Sequence, residues 1–105
     1  MNQEDIKVMR DQFGVFKRYF DNKVDKKVLN QFLDLVQTPE FQETGLGNAG
    51  FQKGDECFEF GDEERNLAFG YSHLDKKFFC SSEIDNFDCD SLKEAFEKYL
   101  ELRAR

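Results

Sequence analysis

Cys57, His73, Cys80 and Cys89 are the only thiols and the only imidazole in this chain of 105 residues. Four such ligands are what a structural zinc requires. Their spacing, C-x15-H-x6-C-x8-C, lacks the close cysteine pair that nucleates such a site. Small core residues on strands account more simply for Cys57 and Cys80, and His73 falls in a turn-like segment. A Cys–His couple for nucleophilic catalysis would also need an oriented base and an oxyanion site. Ser72, Ser81 and Ser82 stand outside any nucleophile elbow. The expectation is a protein that is not an enzyme and holds no metal or cofactor.

Two further patterns fail on context. Gly45-Leu46-Gly47-Asn48-Ala49-Gly50 matches G-x-G-x-x-G, but a helix precedes it and an acidic strand follows. A dinucleotide site needs the reverse order, so that a helix N-terminus meets the pyrophosphate. Asp85, Asp88 and Asp90 suggest calcium, yet the glycine and the spaced glutamate of a calcium loop are missing. Acids that offset the N-terminal dipole of a following helix explain them more simply.

What remains is charge. Residues 1–36 carry seven Lys/Arg and six Asp/Glu, whereas residues 37–105 carry eight against sixteen; these balances of +1 and −8 give the net −7. The densest stretch holds Asp55, Glu56, Glu59, Asp62, Glu63 and Glu64, with Cys57, Phe58 and Phe60 between them. Such a field attracts basic partners and repels nucleic acid and anionic membrane. Charges on an edge hairpin that discourage sheet-to-sheet association would look the same. As a docking surface, the acids would steer and orient while Phe58, Tyr71 or Phe79 anchors the contact.

The elements that position these residues follow from periodicity. Ile6, Met9, Phe13, Phe16 and Phe20 recur at helical spacing, with a break at Asp21-Asn22. Val24, Val28, Leu29, Phe32, Leu33 and Val36 mark a second helix, ended by Thr38-Pro39. Thr38 could cap one short extra turn from Pro39. Residues 44–54, holding four of the seven glycines, read as a loop. Alternation then predicts strands near 56–60, 66–71 and 76–81. Phe78 and Phe79 must point to opposite faces, so one of them needs a cover. A last helix carries Leu92, Ala95, Phe96, Tyr99 and Leu100, capped either by Ser91 with Glu94 or by Asp88. The expected fold is α+β, a single domain over 1–105 in the order ααβββα: two N-terminal helices, a three-stranded antiparallel meander and a C-terminal helix. Thirteen Phe and three Tyr without Trp supply its core.

No basic-then-apolar leader and no apolar run of spanning length is present, and three cysteines suit a reducing compartment. A cytoplasmic protein is expected. In size, acidity and mixed α/β pattern the chain resembles small bacterial immunity proteins, which bind and neutralise secreted or contact-delivered toxins. That resemblance implies a basic protein partner, a toxin and often a nuclease, with no direct nucleic-acid or membrane contact. It makes Asp55, Glu56, Glu59, Asp62, Glu63 and Glu64 the first contact candidates, and Asp85, Asp88 and Asp90 the second. A nucleic-acid mimic or regulatory adaptor, phage-borne or not, would use the same acids. A homodimer through an uncovered sheet face stays open.

Overall fold

The computed structural model describes residues 2–47, 50–52 (backbone) and 56–105. Helix α1 spans Gln3–Tyr19, started by Asn2, whose side chain accepts from the Asp5 N–H at 2.8 Å. Glu4 and Asp5 in its first turn and Lys17 and Arg18 in its last complement the helix dipole. Asp21 and Asn22, both at positive φ, turn the chain at the expected break. Helix α2, Lys26–Val36, is capped by Asp25, and the one-turn α3, Pro39–Gln42, by Thr38 with Pro39 leading it.

Five strands follow: β1 Gly50–Gln52, β2 Cys57–Asp62, β3 Leu67–Ser72, β4 Lys77–Ser81 and β5 Asn86–Cys89. They form one antiparallel sheet in the order β1-β2-β3-β4-β5. Helix α4, Leu92–Arg103, closes the described fold. The α+β class stands, but the three-stranded meander is corrected to five strands. The central three expected strands are β2, β3 and β4. The first extra strand lies inside the glycine-rich stretch read as loop, where pairing with β2 sets the backbone and composition does not. The second, Asn86-Phe87-Asp88-Cys89, lies among acids read as helix-start residues; pairing with β4 holds it extended. Asp88 is therefore a strand residue. Ser91 caps α4 by accepting from the Glu94 N–H at 3.2 Å, while the Glu94 carboxylate accepts from the Asp90 N–H at 3.0 Å. The Leu92 N–H, another orphan donor at this helix start, reaches Gln31 Oε1 on α2 at 3.0 Å.

Register sorts the side chains into two faces. Phe58, Tyr71, Phe78 and Cys89 form one cross-strand row, and Phe60, Phe69, Cys80 and Phe87 the next. Both rows lie under the helices. Phe58 meets Phe13 and Phe16 of α1 at 5.3 and 5.7 Å between ring centroids, and Phe32 of α2 at 4.8 Å. Phe60 meets Phe41 of α3 at 4.8 Å, and Phe69 meets Phe96 and Tyr99 of α4 at 5.5 and 5.0 Å. These tilted and edge-on contacts suit ring quadrupoles as well as area burial. As alternation requires, Phe79 points away from Phe78 and lies outside this cluster.

Gly70 fixes how closely β2 and β3 can run. A Cβ there would sit 2.6 Å from Glu59 Cα and against the Phe58 carbonyl oxygen. Gly70→Ala should therefore force the two strands apart and destabilise by about 1–3 kcal/mol or more, the range for forcing extra atoms against fixed backbone. Gly61→Ala, on the same sheet with open space around it, should cost far less. Urea unfolding midpoints of the two variants check this.

Candidate functional site

All four described helices pack on the Phe58/Phe60/Phe69 side, so the opposite face of the sheet carries no helix among the described residues. Its central row runs Glu59, Gly70, Phe79, Asp88 across β2 to β5. Rows of Cys57, Ser72, Lys77 and of Gly61, Ala68, Ser81, Asn86 lie on either side. A shallow groove of about 600 Å³ follows this face. Glu56, Glu59, Asp75, Glu83, Asp85 and Asp88 line it, with Lys77 as the one cation among its described lining residues. Phe79, only 8% exposed, forms an apolar floor.

Turns supply the two ends. Leu74, in the β3–β4 turn, is 71% exposed, and Ile84, in the β4–β5 turn, is 88% exposed. Both border the groove. The Ser82 hydroxyl accepts from the Asp85 N–H at 3.1 Å and the Ser82 N–H donates to the Asp85 carbonyl at 2.8 Å. That closed turn holds Ile84 at its tip. Asn66 of the β2–β3 turn donates to Glu83 at 3.3 Å, tying the two turns at this end together.

The sequence candidates divide accordingly. Glu56, Glu59, Asp85 and Asp88 come together on the groove. Glu63 borders an adjoining hollow with Glu59 and Glu83. Glu64 is exposed, 3.9 Å from Arg65, and Asp90 is exposed, 3.6 Å from Lys77. Asp55 lies outside the described residues. Phe58 and Tyr71 are buried beneath the helices and cannot anchor a partner, which leaves Phe79 of the three aromatic candidates. Sequence reasoning missed Asp75, Glu83, Leu74 and Ile84. The available signal was a lone large apolar residue inside each polar turn.

Asp62 is the main correction. It continues the Phe58, Phe60 alternation onto the helix side and is 7% exposed. The Tyr99 hydroxyl donates to it at 2.6 Å and the Arg65 guanidinium at 3.1 Å. Burial pushes its carboxyl up, but those two donors outweigh burial and hold it below 3.8. Burial and the Asp62 carboxylate together raise the Tyr99 phenol to about 12. Asp62 fastens α4 to the end of β2 and is no part of the exposed field.

The thiols and the imidazole also separate. Cys57 faces the open side, whereas Cys80 and Cys89 lie under the helices. The described His, Cys, Asp and Glu residues make no group that could hold a metal ion. His73 packs 4.4 Å from the Phe20 ring, and burial with nearby Lys76 and Lys23 lowers its pKa below 6.5.

No family model, curated protein or solved structure matches the chain. Grouped carboxylates beside an apolar floor can attract and orient cations. No helix is long and apolar enough to cross a membrane among the described residues.

The Asp62–Tyr99 pair sets a pH window. Asp62, depressed in the folded state, contributes stability above pH 3.8 that is lost as pH falls through and below that value. Tyr99, raised from 10.0 to about 12, contributes stability below pH 10.0 that is lost as pH climbs towards 12. Tyr99→Phe should cost about 1–3 kcal/mol at neutral pH, since it leaves a buried carboxylate one donor short. It should also remove the alkaline loss specific to Tyr99. Urea midpoints measured from pH 3 to 11 on both proteins check the cost and the lost limb.

Proposed function

We propose that this is a cytoplasmic binding protein that neutralises a basic protein toxin, a nuclease being the first class to test, by covering its active or substrate-binding surface. The observation that carries the reading is the groove on the open face, where the described lining residues set six carboxylates and one lysine around an apolar floor. Carboxylates in that array take the positions of phosphates before the Lys and Arg side chains with which a nuclease holds its substrate. Inhibition then requires no covalent step and no cofactor, only occupancy.

Two energetic roles follow. Acids at the rim, such as Asp75, Glu83 and Asp85, raise the association rate by long-range attraction and lose that effect in salt. Glu59 and Asp88 flank Phe79 and would be desolvated by a partner lying on the floor; losing one such paired charge typically costs about 2–5 kcal/mol of affinity. The same field disfavours self-association by this face, because two copies would oppose like charges.

The test is growth of cells expressing the C-terminal part of the adjacent upstream reading frame, with and without this chain. Toxicity relieved by the wild type, and at least tenfold less by the Glu59→Lys/Asp88→Lys variant, is the expected outcome. Full rescue by that variant would move the interface to another surface. Absence of toxicity, or toxicity without rescue, would overturn the toxin reading and favour a regulator of a nucleic-acid-handling protein.

A further inference from the structure

The geometry points to a single basic, amphipathic α-helix of the partner as the occupant of the open face, laid along β4 with apolar side chains at its two ends against Leu74 and Ile84. The inference rests on the open face being the contact surface and adds what form of partner fits it.

The first argument concerns backbone. The groove lies on a sheet face, where the N–H and C=O groups of β2 to β5 point along the sheet plane and serve the ladder. An extended segment laid there would find no ladder to join and would bury its own polar groups without partners. A helix satisfies its backbone internally and needs only side-chain complementarity.

The second concerns dimensions. Glu59 and Asp88 sit on β2 and β5, three strand spacings apart. At roughly 4.8 Å per spacing their backbones are separated by about 14 Å, enough for a helix about 10 Å across. Gly70, with no side chain between Glu59 and Phe79, keeps the middle of that trough low. Along the other direction, Leu74 and Ile84 mark opposite ends of β4. Its five residues and the two turns span roughly 20 Å, which about 14 helical residues match.

The third is the distribution of chemistry. Exposed apolar residues occur at both ends and acids along both sides, which is the complement of a helix with end anchors and basic flanks. The hydrogen-bonded Ser82–Asp85 turn fixes Ile84 before binding, so little ordering cost falls on that contact.

The test uses a fluorescein-labelled 14-residue helix of Leu and Lys, and a peptide of the same composition with the amphipathic order scrambled. Fluorescence anisotropy at moderate salt gives the affinities, and circular dichroism reports helix gained on binding. The ordered peptide should bind at least tenfold more tightly than the scrambled one and gain helix. Leu74→Ser/Ile84→Ser, changed only at exposed positions, should abolish that preference while leaving the salt-sensitive attraction common to both peptides. Equal affinities for the two peptides, or no binding by either, would overturn the helix. In the growth assay, rescue weakened by Glu59→Lys/Asp88→Lys but untouched by Leu74→Ser/Ile84→Ser would likewise overturn the helix and leave the acidic-face reading standing.

Discussion

Pleat alternation at Phe58, Phe60 and Phe69 is the constraint on which the other features depend. These three rings reach all four described helices: α1 and α2 through Phe58, α2 and α3 through Phe60, and α4 through Phe69. A sheet residue cannot face both ways, so each ring committed to the helices commits its neighbours to the other side. Glu59 lies between Phe58 and Phe60, and Gly70 follows Phe69. The aromatic core therefore determines where the open face and its acids lie.

The polar interior follows the same rule. Asp62 arrives on the helix side only because it is the third residue of the Phe58, Phe60 series. A buried carboxylate is costly unless donors surround it. Tyr99 on α4 and Arg65 in the next turn provide them, and Arg103 adds a contact to the Tyr99 hydroxyl at 3.4 Å. This network bridges positions far apart in sequence and fixes one angle of α4 on the sheet. Apolar packing alone, being non-directional, would specify that angle less sharply.

The sequence is most legible where local chemistry and tertiary packing agree. The helices show their 3.6-residue stripes, and Thr38, Pro39 and Ser91 occupy the capping positions their types favour. The central strands show alternation. Strand β5 was hidden because Asn86 and Asp88 have low strand propensity, and what holds them extended is pairing with β4, a non-local effect. The charge of Asp62 suggests exposure, whereas its place in the alternation with Phe58 and Phe60 signals the buried side. Leu74 and Ile84 stand out in sequence as lone apolar residues in polar turns, but their shared groove is visible only through the register of β3 to β5.

The pleat also divides the sulfur chemistry of the molecule. Cys80 is fully buried and burial pushes its thiol up to about 11, while burial and nearby carboxylates raise Cys89 as well. Neither offers much thiolate at neutral pH, and neither is open to a reagent in solution. Cys57 is half-buried on the other side, at the border of the groove. Electrophiles and oxidants thus meet one thiol of three, and they meet it beside the acidic face. A folded molecule carries a single chemical reporter at that place, whose rate of alkylation would record whether the groove is covered.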